Sequence, residues 1–223
     1  MIDNHPKIII LFGRSGCGKG TQAKLLQEEF GFDYLGTGDL VRAKAKDQDE
    51  IGKQVKKVLE KGGRVKTEIV FGLWEKAIRK IKEGKSLKSL IIDGSPRSEQ
   101  EAKYMDKLFE EFGWTEIKIF LLDISEQEAF NRLTKRRICK KCGQLIPWIG
   151  DYKNLEKCDK CSGDLIVRPD DSDSGVKARM EYFKKDVQPA IDFYEKEGKL
   201  IRINGQQAIE DVCRDIKKVI ARP

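Results

Sequence analysis

A glycine-rich stretch near the start of the chain constrains its fold more than any other feature. Gly13–Thr21 has the sequence GRSGCGKGT, follows the apolar run Ile8–Phe12 and precedes a segment with apolar residues at helical spacing. A strand, a GxxxxGK loop and a helix together form a phosphate-binding loop, or P-loop, whose backbone N–H groups and helix N-terminus surround phosphate oxygens. Lys19 is then placed to reach the β and γ phosphates of a nucleotide. Gly20 stands where P-loops usually carry Ser or Thr, and a hydroxyl follows at Thr21.

The charge and apolar content of the chain limit which classes of protein it can belong to. The chain has 223 residues, enough for one domain with insertions, and a formal net charge of +7. The positive charges are spread over predicted helices without interleaved aromatic residues, which favours an anionic substrate over nucleic acid as the partner. Because there is no run of about 18 apolar residues and no secretory pattern at Met1–Pro6, we expect a cytoplasmic protein with no membrane partner.

Four of the six cysteines form two CxxC pairs with fifteen residues between them. This spacing is typical of a zinc site with four thiolate ligands, and disulfides are disfavoured in the expected compartment. Four thiolates fill the coordination sphere, so we predict a structural rather than a catalytic metal. The predicted ligands are Cys139, Cys142, Cys158 and Cys161. Cys213 lies outside these pairs and is predicted to belong to the core.

Strand-like and helical segments alternate along the chain. The predicted strands are residues 8–12, 34–35, 90–92, 117–122 and 200–203. Ser98-x-x-Glu101 and Ser125-x-x-Glu128 have the pattern of capping boxes at helix starts. This alternation predicts an α/β fold with a five-stranded parallel sheet flanked by helices.

Three further segments have a distinct character. The charged stretch Ala43–Lys66 is predicted to be a helical insertion after the second strand. The cysteine-rich stretch 136–170 shows little helical pattern and is predicted to be a small module whose core is insufficient without metal. Residues 174–196 are predicted to form a helix that bends near Pro189.

Charged side chains near the predicted sheet edge indicate phosphoryl transfer. Asp93 ends an apolar strand, where a carboxylate can orient Mg²⁺ or its waters. Arg97 follows at the edge of the sheet where ligands bind in such folds. Other arginines flank the cysteine pairs; they are Arg132, Arg136, Arg168 and Arg179. Any one of them is explained by surface ion pairing, but a set of arginines on a mobile flap supplies the positive charge and water exclusion that phosphoryl transfer needs.

In its motifs and their order the chain resembles the adenylate kinases, in the long form with a zinc-bearing lid, over almost its whole length. The matching segments are Gly16–Gln22, Thr37–Arg42, Asp93–Arg97, Arg136–Gly143, Cys158–Cys161, Arg168–Asp171 and Asn204–Gly205. The resemblance implies a P-loop NTPase fold in three parts. These are a core of residues 1–36, 67–135 and 172–223, an insertion of residues 37–66 that binds the nucleoside monophosphate, and a zinc-bearing lid of residues 136–171.

The resemblance also implies an activity and its site residues. The implied reaction is reversible Mg²⁺-dependent phosphoryl transfer from ATP to AMP, giving two ADP, by a monomer with structural Zn²⁺. The implied catalytic residues are Lys19, Asp93, Arg97, Arg136, Arg168 and Arg179. The implied ATP-binding residues are Gly16, Cys17, Gly18, Lys19, Gly20, Thr21, Arg132, Arg136 and Gln207. The implied AMP-binding residues are Thr37, Arg42, Gly63, Arg64, Val65, Gly94, Ser95, Pro96, Arg97, Glu101, Arg168 and Arg179.

Three residues of the implied monophosphate site depart from the family pattern. Ser95 replaces an aromatic residue, Glu101 replaces the glutamine that recognises adenine, and Arg64 replaces an apolar residue. Ionised Glu only accepts and Arg only donates hydrogen bonds, a combination that matches guanine better than adenine. The simpler explanation is that Glu101 caps its helix and pairs with Arg64, or that Gln100 takes the place of the glutamine after a small shift. We therefore expect AMP as the acceptor, with weaker selectivity than a typical adenylate kinase.

Other functions stay open at this point. Within the enzymes, the acceptor could be GMP or a pyrimidine monophosphate, or the donor GTP. Outside them, the chain could be a zinc-ribbon nucleic-acid-binding protein with a vestigial P-loop, or a regulator that binds nucleotide without turnover. The retained Lys19, Asp93 and arginines favour the kinase.

Overall fold

The structure, a computed structural model, describes residues 7–60, 65–84, 89–168 and 171–221. The strands in these ranges are β1 (Lys7–Phe12), β2 (Asp33–Gly36), β3 (Ser89–Asp93), β4 (Ile117–Asp123), β5 (Arg137–Cys139), β6 (Leu145–Ile146), β7 (Leu165–Val167) and β8 (Leu200–Asn204). The α-helices are α1 (Lys19–Phe30), α2 (Thr37–Lys44), α3 (Glu50–Glu60), α4 (Thr67–Glu83), α5 (Glu99–Glu111), α6 (Glu126–Lys135), α7 (Asp173–Tyr182), α8 (Gln188–Lys196) and α9 (Ile209–Ile220).

Five of these strands form the predicted parallel sheet, in the order β2–β3–β1–β4–β8. β1 lies between β3 and β4, with Ile9 opposite Ile91 on one side and Lys118 on the other. Residues 8–12 are at most 3% exposed, and the run shows no polar alternation because helices cover both faces of a parallel sheet. The predicted α/β fold with a five-stranded parallel sheet is therefore confirmed.

Local sequence signals set several helix ends. Ser98 Oγ accepts a hydrogen bond from Glu101 N at 3.1 Å, and Ser125 Oγ accepts one from Glu128 N at 3.2 Å. Each bond satisfies a donor that the helix itself leaves unpaired. Both predicted helix starts are confirmed.

The segment predicted to be one helix over residues 174–196 is helical, with an interruption. A π-helical segment, Phe183–Val187, separates α7 from α8. Pro189 lies in the first turn of α8, where proline is well tolerated. The predicted bend near Pro189 stays a prediction.

The cysteine-rich stretch is organised by a small antiparallel sheet of order β6–β5–β7. Ile138 pairs with Leu145 on one side and Ile166 on the other. Between β6 and β7 the chain forms one short 3₁₀ turn, Gly150–Asn154. These elements agree with the sequence of this stretch, which shows little helical pattern.

The chain divides into two compact units. The first unit comprises residues 1–12, 23–121 and 186–201, and the second comprises residues 13–22, 122–185 and 202–223. In the first, Trp74, Phe109 and Tyr194 are fully buried; in the second, Leu133, Val176 and Cys213 are buried. The predicted division into core, insertion and lid stays a prediction.

Among the described residues, no helix has both the length and the apolar character needed to cross a bilayer.

Candidate nucleotide-binding site

The glycine-rich loop joins β1 to α1, as its sequence predicts. Gly13 has φ +141°, and a Cβ built on it would lie only 2.6 Å from the carbonyl oxygen of Leu122, so no other residue fits there. Lys19 Nζ donates hydrogen bonds to Gly13 O at 2.7 Å and Arg14 O at 3.1 Å, and lies 3.6 Å from Cys17 Sγ. The ammonium group of Lys19 is thus held against the backbone of the loop.

Arg132 is almost buried in the second unit. Its Nε donates to Glu128 Oε1 at 2.6 Å and its Nη2 donates to Gly205 O at 3.0 Å. Gly205 belongs to the loop that follows β8. Further along this loop, Gln207 Nε2 donates to Asp215 Oδ2 at 2.7 Å. Arg132 and the loop with Gly205 and Gln207, both expected beside the ATP base, are therefore tied together.

Asp171 organises two of the predicted catalytic arginines. Arg136 donates to both of its carboxylate oxygens at 2.8 Å, and Arg179 Nη1 donates to Oδ1 at 2.8 Å. The Asp171 side chain has no exposed surface, while those of Arg136 and Arg179 are 13% and 29% exposed. Asp171 also ties back to Arg168, because its N–H donates to the Arg168 carbonyl at 2.9 Å.

No residue role was predicted for Asp171 from the sequence, although it lies in the matching segment Arg168–Asp171. The signal available is an acidic residue three positions after an arginine. Only the fold shows that its partners are two arginines rather than solvent.

The four paired cysteines converge as predicted. Their Sγ atoms all lie within 4.8 Å of one another, with Cys139 and Cys161 at 3.5 Å and Cys142 and Cys158 at 3.6 Å. Thiolates bound tetrahedrally at the usual Zn–S length are about 3.8 Å apart, so the cluster has the size and donor chemistry for zinc. The backbone N–H of Cys142 donates to the Cys139 thiolate and lowers the pKa of Cys139 to about 6, which favours the form that binds metal.

The first unit contains most of the residues predicted for the monophosphate. Thr37 begins α2, directly after β2, and its hydroxyl lies 2.8 Å from that of Ser95, in the loop after β3. Thr37 and Ser95 are 0% and 1% exposed. A buried hydroxyl needs a partner, and the pair explains how this chain accommodates Ser95 where the family has an aromatic residue.

Arg97 and Glu101 contact each other through the backbone at the start of α5. Arg97 Nε donates to Gly94 O at 2.6 Å, and Gly94 itself has φ +82°. Glu101, only 2% exposed, accepts a hydrogen bond from Arg97 N at 2.6 Å through Oε2. Ser98 caps the helix, and the Glu101 carboxylate fixes the backbone N–H of Arg97, just before that cap.

Asp93, at the carboxyl end of β3, is half-buried and accepts a hydrogen bond from the hydroxyl of Tyr34 at Oδ2, at 3.2 Å. Burial and the neighbouring charges of Asp93 and Asp39 raise the pKa of Tyr34. The carboxylate oxygens of Asp93 are of the kind that Mg²⁺ prefers, directly or through water. No sequence motif marks Tyr34, which lies in the predicted strand 34–35.

The remaining predicted monophosphate residues differ in exposure. Arg42 is exposed and donates to Asp39, one turn away on α2. Val65 and Pro96 are buried. Gly63 and Arg64 lie outside the described residues, so the suggested pairing of Arg64 with Glu101 stays a prediction.

Comparison with known proteins agrees with this geometry. A family model described as adenylate kinase matches residues 11–199. This chain belongs to the adenylate kinase family. Curated relatives named adenylate kinase include that of Petrotoga mobilis, 35% identical over 95% of this chain and 96% of the relative. Those of Thermotoga neapolitana and Archaeoglobus fulgidus are 36% and 33% identical, over 95% and 96% of this chain and 96% and 98% of their own lengths.

Membership of the adenylate kinase family makes the chain a nucleoside monophosphate kinase, an enzyme that transfers phosphoryl groups. The expected α/β P-loop fold is confirmed by the sheet and by the family match. The family match favours neither a nucleic-acid-binding protein nor a regulator without turnover.

The residues expected around an adenylate kinase reaction divide between the two units. The second unit contains the P-loop, the cysteine cluster and Gln207. It also contains the predicted arginines Arg132, Arg136, Arg168 and Arg179. The first unit contains Thr37, Arg42, Asp93, Arg97 and Glu101. Each unit therefore carries one recognisable set of functional side chains.

Proposed function

We propose that this chain catalyses the reversible transfer of the γ-phosphoryl group of ATP to AMP, with Mg²⁺, giving two ADP. The buried carboxylate of Asp171, which holds Arg136 and Arg179 in fixed positions, is the observation that carries the proposal. Two arginines held by one carboxylate at 2.8 Å are preorganised donors, and preorganised positive charge is the main requirement for phosphoryl transfer.

The second unit is proposed to bind ATP. The backbone N–H groups of residues 16–21 would surround the phosphates, and Lys19 would exchange its contacts with Gly13 O and Arg14 O for phosphate oxygens. Arg132 would stack on the adenine, beside Gln207. The ion pair of Arg132 with Glu128, in which only the arginine is buried, would limit the motion of the guanidinium group.

The first unit is proposed to bind AMP. Arg97 would grip the monophosphate, and its position is supported by the bonds of its side chain to Gly94 O and of its N–H to Glu101. Thr37 and Arg42 would hold the nucleoside side, and Val65 and Pro96 offer apolar surface near the base. The other residues proposed for the AMP site are Gly63, Arg64, Gly94, Ser95, Glu101, Arg168 and Arg179.

No side chain is proposed to form a covalent intermediate. A phosphate oxygen of AMP attacks the γ-phosphorus of ATP in line, the bond to the β,γ-bridging oxygen breaks, and ADP leaves. Arg97, Arg136, Arg168 and Arg179 stabilise the negative charge on the transferred group, with Lys19 on the donor phosphates. Asp93 would hold Mg²⁺ through water, and bound Mg²⁺ supplies charge neutralisation at the phosphates.

Zinc is proposed to be structural. Cys139, Cys142, Cys158 and Cys161 would hold it, and four thiolates leave no position open for a substrate. Bound zinc supplies the cross-link that a module with three short strands cannot obtain from an apolar core. A cytoplasmic location and a monomeric state remain predictions.

Steady-state kinetics test the proposal. The purified chain is assayed with MgATP or MgGTP as donor and each of AMP, GMP, CMP and UMP as acceptor, with ADP formation measured by a coupled assay. We expect the highest kcat/KM with ATP and AMP. A higher value for another monophosphate would replace AMP as the acceptor, and no turnover with any pair would overturn the assignment of a kinase.

A further inference from the structure

Tyr34 reaches the carboxylate of Asp93 across two neighbouring strands. Gly36 of β2 is the register partner of Asp93 of β3, and Tyr34 lies two residues earlier on β2, on the same face as Gly36. The ring of Tyr34 runs along the strand, and its hydroxyl donates to Asp93 Oδ2 at 3.2 Å. The two residues are 59 positions apart in sequence, so the contact depends on the fold rather than on local structure.

Gly36 provides the space for this contact. A Cβ built on Gly36 would lie 2.6 Å from the Tyr34 hydroxyl and 2.6 Å from Asp39 Oδ2. Any side chain at position 36 would therefore displace the phenol or the Asp39 carboxylate. The glycine lies in β2, and its φ of −93° is open to other residues, so space rather than backbone conformation requires it.

We propose that Tyr34 is a positioning residue for phosphoryl transfer, acting by fixing the orientation of the Asp93 carboxylate. The proposal rests on the proposed function, in which Asp93 holds Mg²⁺ through water. A carboxylate at the end of a strand can rotate about its side-chain bonds, and one directed hydrogen bond from the half-buried phenol of Tyr34 restricts that rotation. Removal of a group that orients a direct metal ligand commonly changes metal affinity or activity about 10- to 100-fold, and since Asp93 acts through water we expect an effect at the lower end of this range.

Tyr34→Phe removes one hydroxyl and keeps the ring. The matched control is Tyr104→Phe in the same unit, because Tyr104 also donates to a carboxylate, Glu75 Oε1 at 2.8 Å, outside the proposed site. Two quantities are measured on the full chain. One is the Mg²⁺ concentration for half-maximal turnover. The other is the dissociation constant of Mn²⁺ in the complex with AMP and a non-hydrolysable ATP analogue, measured from free Mn²⁺ by electron paramagnetic resonance.

We expect Tyr34→Phe to raise both quantities about tenfold while the KM for AMP changes less than twofold. Tyr104→Phe should change neither. Gly36→Ala, which keeps the hydroxyl but crowds it, should act in the same direction as Tyr34→Phe and supplies the test if that variant fails to fold. The proposal would be overturned if the folded Tyr34→Phe variant had the same half-maximal Mg²⁺ concentration and Mn²⁺ dissociation constant as wild type. If only Gly36→Ala folds, the same result in that variant would overturn it.

Asp93→Asn separates this inference from the proposed function. Suppose that Asp93→Asn raises the half-maximal Mg²⁺ concentration and the Mn²⁺ dissociation constant while Tyr34→Phe leaves both unchanged. In that case Asp93 keeps its proposed role, and Tyr34 only joins two strands. If Asp93→Asn itself leaves the metal dependence unchanged, the proposed role of Asp93 fails, and that of Tyr34 fails with it. In the double variant, Tyr34→Phe should add no further effect, because it acts through Asp93.

Discussion

The Asp171 carboxylate accepts hydrogen bonds from Arg136 Nε and Nη2 at 2.8 Å and is completely shielded from solvent. A paired arrangement of this kind fixes both the position and the plane of the guanidinium group. Because Arg179 shares the same carboxylate, a single residue determines where two positive charges stand.

Asp171→Asn should therefore impair activity through the two arginines that the carboxylate holds. The amide has one acceptor oxygen for two arginines, so we expect kcat to fall about 100-fold and stability to fall by about 3 kcal/mol. Turnover and urea unfolding measure the two effects. Asp164→Asn is the control, since that carboxylate is 70% exposed and pairs with Lys157 at the surface. A kcat within twofold of wild type would contradict the proposed role of the pair.

Lys19→Met should remove most of the activity. The ammonium group would stabilise charge on the transferred phosphoryl group, so we expect kcat to fall by about 10²- to 10³-fold or more. Its two bonds to loop carbonyls are also lost, and circular dichroism must therefore show that the variant is folded. Lys24→Met, on the exposed face of the same helix, serves as the control. A folded Lys19→Met variant with near wild-type turnover would exclude the P-loop mechanism.

The cysteine cluster should bind close to one zinc ion per chain, measured by elemental analysis of protein purified under reducing conditions. Chelation should lower the unfolding midpoint by at least about 5 °C, because the metal's binding energy contributes to folding. Cys158→Ser should lose the metal, whereas Cys213→Ala, a buried cysteine outside the cluster, should keep it. Protein without metal, or with stoichiometric disulfides, would contradict the predicted site.

Gly163→Ala offers a second test of the cluster that leaves all four ligands in place. A Cβ at this position would lie 2.9 Å from Cys139 Sγ and 2.8 Å from Lys141 Cβ. We expect faster zinc loss to a chelator than in wild type, because the ligand must shift. Gly143→Ala is the steric control, with no atom within 4 Å of the added methyl, although its φ of +73° costs backbone strain. Equal zinc loss in wild type and Gly163→Ala would show that the cluster tolerates the added methyl.

Glu101→Gln should sharpen the preference for AMP. The amide oxygen can keep the bond to Arg97 N, while the new N–H₂ group adds a donor for the base. One base hydrogen bond is worth about 1–3 kcal/mol, or about 5- to 150-fold in kcat/KM, and we expect GMP to be the second acceptor of the wild type. Kinetics with AMP and GMP measure the ratio, and Glu99→Gln on the exposed side of the same helix is the control. If wild type already excludes GMP and Glu101→Gln changes nothing, Glu101 serves only as a helix cap.

Local sequence accounts for the parts of this protein whose partners lie close in the chain. The P-loop and the capping serines each depend on a few consecutive residues, so their patterns predict them directly. The four cysteines are predictable as well, because tetrahedral thiolate sites restrict ligand spacing. The parallel sheet follows from the alternation of apolar strands and helices, since each strand must be covered on both faces.

Only the tertiary structure decided how the departures from the family pattern are accommodated and which residues orient the functional groups. Ser95 is satisfied by Thr37, 58 residues away, and Asp171 pairs with Arg136, 35 residues away. Tyr34 and Asp93 meet through strand register. No periodicity encodes such pairs, because a hydrogen bond between distant residues depends on ångström-scale placement of both backbones. The sequence determined which chemistry the chain carries, and the fold decided which side chains hold that chemistry in position.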